Sequence, residues 1–126
     1  MATPVPKLQR LVAIVDDDPG MQRSLSDLLG ARGFGTSVFS SAEDWLARGA
    51  SIHADCMLVD VYLGGMTGIE LQRRLRASGS TVPVIFMTAH YDEATRSRAL
   101  AAGGVSILCK PFPAMQLIEA IENATA

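Results

Sequence analysis

Five short, largely apolar runs punctuate the chain, at residues 11–15, 34–39, 56–59, 82–87 and 105–108, and each is followed by a polar or amphipathic stretch. Runs this short, with little polar alternation, read as strands covered on both faces, the pattern of a parallel sheet enclosed by helices. Right-handed crossovers put the C-terminal end of every such strand on one edge of the sheet. Open α/β sheets bind ligands in the crevice along that edge, where the strand order reverses. The architecture therefore directs attention to whatever follows each apolar run.

The intervening segments carry helix signals. Asp18-Pro19 supplies an N-cap and a proline at the first helical position, and Met21, Leu25, Leu28 and Leu29 follow at helical spacing until Gly30 and Gly33. Ser40 with Glu43 reads as a capping box opening a short helix that carries Trp45 and Leu46. Gly64-Gly65 marks a loop, and Thr67 with Glu70 reads as a second capping box, ahead of a helix that buries Ile69, Leu71 and Leu75. Residues 91–102 read as a helix with a mostly alanine apolar face, and Pro113 opens a last helix with Met115, Leu117, Ile118 and Ile121.

A chain of 126 residues, 48% apolar and 19% charged, holds one globular domain with a sizeable core. The net charge of -2 excludes a global basic field for nucleic acid or an anionic membrane. No apolar run approaches the roughly 20 residues that span a bilayer, and the first ten residues contain two prolines and no apolar stretch. A cytoplasmic protein is expected, with residues 1–9 an N-terminal extension of a domain over 10–124. Cys56 begins one expected strand and Cys109 ends another. That leaves them about 13 Å out of level, beyond the roughly 7 Å Cα limit of a disulfide, so two free, buried thiols are expected.

Four polar islands stand where the runs end: Asp16-Asp17-Asp18, Asp60, Thr88-Ala89 and Lys110-Pro111. Carboxylates directly behind apolar strands are costly to bury unless they serve a metal or a reaction. Asp18 reads as a helix cap rather than a ligand. Asp60 reads as a carboxylate nucleophile toward phosphorus. Asp16, Asp17 and Asp60 crowd three negative charges into one crevice, and a hard divalent cation with oxygen ligands relieves the repulsion; Mg²⁺ fits, with Mn²⁺ as an alternative. Taken singly, Lys110 would be a solvated surface lysine and Thr88 an ordinary strand-end threonine; their places opposite Asp60 give them weight. His53 and His90 lack metal-ligand spacing and read as structural or solvent-facing.

The motifs Ile-Val-Asp-Asp-Asp, Leu-Val-Asp followed by Met-Thr-Gly, Met-Thr-Ala and Lys-Pro-Phe, in this order and spacing, resemble the receiver domain of two-component response regulators, from about Leu11 to Ile121. The resemblance implies a flavodoxin-like, doubly wound (βα)5 sandwich with strand order 2-1-3-4-5. It implies phosphoryl transfer from a sensor histidine kinase or phosphotransfer protein to Asp60, in a switch that catalyses only its own phosphorylation and dephosphorylation. Asp17 and Asp60 would ligate Mg²⁺ directly, Asp16 through water, and Tyr62 through its backbone carbonyl. Lys110 would pair with one phosphoryl oxygen and Thr88 would donate to another, with Lys110-Pro111 held in cis.

The chain departs from the family at several positions. Ile107 stands where a switching Tyr or Phe is usual, and its stiff χ1 argues against a large rotamer swing. Tyr62 and His90 flank the acceptor, where the family tunes the lifetime of the phosphoryl group. Gly64-Gly65 replaces a stiffer proline-containing loop and is expected to be more mobile. The resemblance also implies a homodimer face built from the fourth helix, the fifth strand and the last helix, and a helix-turn-helix DNA-binding output domain. Two other classes compete. A haloacid-dehalogenase-type phosphatase would carry an aspartate where Tyr62 stands, and a phosphorylation-independent interaction module would keep the fold without the switch.

Overall fold

The computed structural model describes residues 9–126; apart from Gln9, the expected N-terminal extension lies outside the described residues. The chain alternates strand and helix throughout: β1 (Leu11–Val15), α1 (Pro19–Ala31), β2 (Gly35–Phe39), α2 (Ala42–Arg48) with a 3-10 turn at Gly49–Ser51, β3 (Cys56–Asp60), α3 (Gly68–Ala77), β4 (Val84–Thr88), α4 (Glu93–Ala101), β5 (Ser106–Cys109) and α5 (Ala114–Ala124). All pairings are parallel and the order is β2-β1-β3-β4-β5, as expected. No described helix is long and apolar enough to cross a membrane.

Successive strand residues point to opposite faces, and the sheet accordingly separates two cores. Ala13, Val15, Met57, Val59, Val84 and Phe86 pack under α2, α3 and α4. Val12, Ile14, Cys56, Leu58, Ile85 and Met87 pack under α1 and α5. Every residue of β3 and β4 is buried, which is why those runs carry no polar alternation. The helices are anchored unequally: α5 buries Leu117, Ile118 and Ile121, whereas α4 buries only Thr95 and Ala99.

Local chemistry sets the element ends. Asp18 Oδ1 accepts from Gly20 N at 3.0 Å with Pro19 opening α1, the cap read from the sequence. The first capping box is shifted by one residue: Ser41 Oγ, not that of Ser40, accepts from Asp44 N at 2.9 Å. Ser40 instead receives a bond from Gln22 Nε2 at 3.1 Å, and Glu43 reaches away to Met66 N at 3.1 Å. Thr67 Oγ1 does cap α3, accepting from Glu70 N at 3.1 Å. Strand β4 begins at Val84 rather than 82, because Pro83 has no N–H to donate, although its carbonyl still accepts from Met57 N at 2.9 Å. Cys56 and Cys109 are both free, but only Cys56 is buried; Cys109, expected inside, ends the edge strand β5 and is exposed.

Candidate functional site

Register alone assembles the site. Val15 lies opposite Val59, so Asp16, just past β1, and Asp60, the last residue of β3, emerge side by side. Asp60 lies opposite Met87, which brings Thr88 level with the end of β3. Thr88 in turn lies opposite Cys109, and its carbonyl accepts from Lys110 N at 2.8 Å. All four islands therefore meet at one edge, and the Lys110–Pro111 peptide is cis as expected.

Asp16 is fully buried and Asp60 nearly so, while Asp17 faces solvent. Each offers a carboxylate oxygen, and these oxygens lie within 4.8 Å of one another. Lys110 Nζ bridges the two buried members, 2.7 Å from Asp16 Oδ2 and 2.9 Å from Asp60 Oδ2. Each carboxylate is also held from the backbone. Asp18 N donates to Asp16 Oδ1 at 2.9 Å, Tyr62 N to Asp60 Oδ1 at 3.0 Å, and Gly64 N to Asp17 Oδ2 at 3.2 Å. The Gly64-Gly65 loop, expected to be mobile, is thus tied to Asp17 on one side and, through Met66 N, to Glu43 on the other.

One ammonium faces three carboxylates, and burial together with the neighbouring charges shifts Asp60 and Lys110. Burial pushes the Asp60 carboxyl above its ordinary range; the bonds from Lys110 and Tyr62 N oppose that rise, and the charge on Asp16 adds to it. Burial disfavours the Lys110 ammonium too, but its bonds to Asp16 and Asp60 outweigh that and hold its pKa above the ordinary lysine value. A cluster left net negative by its own counterion has the donor set of a hard divalent cation: three carboxylate oxygens at one mouth, one of them open to solvent.

Thr88 is fully buried, and its Oγ1 accepts from His90 N at 3.0 Å. A hydroxyl that accepts still carries an O–H to donate. Tyr62 and His90 stand together at the mouth, their rings edge to face with centroids 6.0 Å apart. Ile107 is half-buried opposite Phe86, packed against the core under α2, α3 and α4. His53 lies far from this edge, in an open groove with Trp45 and Pro83.

Three contacts escaped the sequence reading. Gln22 Nε2 donates to the Asp16 carbonyl at 2.6 Å, fixing the backbone that carries the buried acid. Gly68 lies against β3 so closely that a Cβ there would sit 2.2 Å from the Asp60 carbonyl oxygen, so the first turn of α3 seats on the backbone of Asp60 itself. The Tyr62 hydroxyl shares a hydrogen bond of 2.9 Å with Thr95 Oγ1 on α4. Apolar periodicity carries no trace of the first or third; a glycine just inside a capped helix is the one signal that pointed to the second.

The model of the response regulator receiver domain matches residues 12–122. The chain is 36% identical over 113 residues to the transcriptional regulatory protein FixJ of Bradyrhizobium diazoefficiens, covering 90% of this chain and 55% of that protein. It is 33% identical over 114 residues to the response regulator protein TodT of Pseudomonas putida, covering 90% of this chain and 50% of TodT. The chain thus spans about half the length of these curated relatives. Among solved structures, FixJ-N superposes with a TM-score of 0.87 at 34% identity, covering 94% of this chain and 95% of that one. The Vibrio cholerae chemotaxis protein CheY4 superposes with a TM-score of 0.87 at 22% identity, covering 93% and 99%, a likeness of fold.

Proposed function

The chain belongs to the response regulator receiver family, a signalling switch of two-component systems, and from that premise we propose that Asp60 is its phosphoacceptor, charged by a sensor histidine kinase or a phosphotransfer protein. The observation that carries this reading is the Lys110 ammonium set between Asp16 and Asp60, beside three carboxylate oxygens within 4.8 Å of one another.

An Asp60 carboxylate oxygen attacks phosphorus on the donor histidine. The O–P bond forms, the P–N bond breaks, and the departing imidazole nitrogen takes up a proton. Lys110 supplies the positive charge that lets a carboxylate and a phosphoryl group approach, and Thr88 offers its O–H to a phosphoryl oxygen; positioning and electrostatics are most of what such a transfer needs. Asp17, Asp60 and the Tyr62 carbonyl would hold Mg²⁺, with Asp16 acting through water, and the ion would supply the remaining neutralising charge. Tyr62 and His90 at the mouth govern how readily water reaches the acyl phosphate, and so its lifetime.

The transcriptional role in the name of FixJ supports coupling to a DNA-binding output domain. The exposed edge formed by β5, with α4 and α5 beside it, is the proposed homodimer face. A cytoplasmic location follows from a kinase partner that works on ATP.

Intact mass after incubation with Mg²⁺ and acetyl phosphate tests the proposal. One added phosphoryl group is expected in the wild type, and none without Mg²⁺ or in Asp60→Asn. A folded wild type that takes up nothing would overturn the reading in favour of a phosphorylation-independent module.

A further inference from the structure

Helix α4 is the loosest-seated element on its face of the sheet, and one of its two buried side chains, Thr95, is polar. Its hydroxyl is satisfied by the Tyr62 hydroxyl at 2.9 Å, across 33 residues of sequence. Arg98, one turn further along α4, places Nη2 3.5 Å from the same phenolic oxygen. The backbone N–H of Tyr62 meanwhile donates to Asp60 Oδ1 at 3.0 Å. A single residue thus grips the acceptor carboxylate at one end and α4 at the other. Tyr62 is 43% exposed, so the core does not hold it in place. Its hydroxyl bonds and its edge-to-face contact with His90 do.

We propose that the Tyr62 side chain is the positioning element that couples the chemical state of Asp60 to α4, serving where Ile107 provides no mobile aromatic. The coupling rests on Asp60 being the phosphoacceptor. A hydrogen bond to a carboxylate is charge-assisted. Once that carboxylate becomes an acyl phosphate its charge moves outward onto the phosphoryl oxygens, and the bond from Tyr62 N weakens. The peptide relaxes, the phenol moves with it, and the Thr95 and Arg98 contacts break or re-form. An element held by so little apolar surface has alternative seatings close in free energy, and a shift at one anchor changes their populations. Coupling of this kind is reciprocal, so loosening α4 must also loosen the loop that carries Tyr62.

Hydrogen exchange by mass spectrometry, with intact mass taken on the same samples, tests the link. Thr95→Val keeps the shape of a fully buried side chain and deletes only the hydroxyl. It should take up phosphate as the wild type does, yet exchange faster through residues 93–101 before phosphorylation. The increase should be on the order of fivefold, the equilibrium factor of one ordinary intramolecular hydrogen bond. The further change in α4 exchange that phosphorylation produces in the wild type should be absent. Thr95→Ser, which retains a hydroxyl, should restore that change. Tyr62→Phe, altered at the exposed end of the same bond, should reproduce the α4 behaviour of Thr95→Val. A wild-type α4 response in Thr95→Val overturns the link. If intact mass shows no phosphoryl uptake, the acceptor reading fails separately, and the link is then judged on residues 61–66. Faster exchange there in Thr95→Val supports it, and unchanged exchange overturns it.

Discussion

Replacing Lys110 by Met keeps a stem of similar length and removes only the ammonium that sits 2.7 Å from Asp16 and 2.9 Å from Asp60. At an effective dielectric constant near 20, each contact is worth about 6 kcal/mol of Coulomb attraction, offset by the several kcal/mol it costs to desolvate a cation. The Lys110 side chain is 14% exposed, so solvent screens these contacts little. Breaking a buried pair from one side typically costs about 3–5 kcal/mol. The bond from Asp18 N to Asp16 and that from Tyr62 N to Asp60 survive, which argues for the lower end, about 3 kcal/mol. For a domain of this size that is roughly 10 °C in Tm.

Urea unfolding followed by the fluorescence of Trp45, a buried residue and the single tryptophan, reads the difference in chelator at neutral pH. The pH dependence sharpens the test. The folded-state pKa of Lys110 is raised, so its contribution is fully present below the ordinary lysine value, about 10.4, and is lost as pH climbs through the higher folded value. The gap between wild type and variant should therefore hold from neutral pH to about 9 and close only in strong alkali. On the acid side, the Asp60 carboxyl, already raised by burial, loses the Lys110 bond that opposes the rise, so it binds a proton more readily folded than unfolded and the variant should recover stability as pH falls from 7 toward 4. Equal urea midpoints at pH 7, or a gap that widens on acidification, would refute the electrostatic account of the site.

Two further outcomes follow from packing and exposure. Gly68→Ala should lose about 2–3 kcal/mol in urea unfolding and impair phosphoryl uptake, since its Cβ would meet the Asp60 carbonyl oxygen at 2.2 Å. Gly30→Ala, on α1 with nothing within 4 Å of the new Cβ, should instead gain about 0.5–1 kcal/mol. With a thiol reagent at pH 8, the native protein should label at Cys109 alone. Cys56, buried and with its thiol pushed up to about 12 chiefly by burial, should react only on unfolding.

The fold was legible because its signals are local: apolar runs of strand length, caps and glycine stops. The convergence at one edge was legible because handedness turns strand order into geometry, and register does the rest, as with Asp16 beside Asp60. Individual side-chain choices were less readable. Ser40 and Ser41 are equally good caps by composition, and the choice fell to Ser41 because Gln22, distant in sequence, claims Ser40. Met115 stands with the other apolar residues of α5 in the sequence yet is 51% exposed, because Leu117, Ile118 and Ile121 already fill that helix's seat on the sheet. Cys109 was expected inside with Cys56, but it ends the edge strand β5 of the expected order and is exposed. The Tyr62 to Thr95 contact joins a loop to a helix across the mouth of the site, and no sequence periodicity encodes such a meeting.

The valence of the Lys110 ammonium gives its position a consequence beyond charge. Its three N–H groups splay toward the corners of a pyramid, and two are engaged, one by each buried carboxylate. The third has no partner among the described residues, so an arriving anion can be met without either existing partner being released. An arginine would bring the same charge, but its donors lie in one plane, a fork suited to gripping a single flat acceptor from the side. Three oxygens gathered around one point call for a tripod, and among the cationic side chains only lysine is built as one.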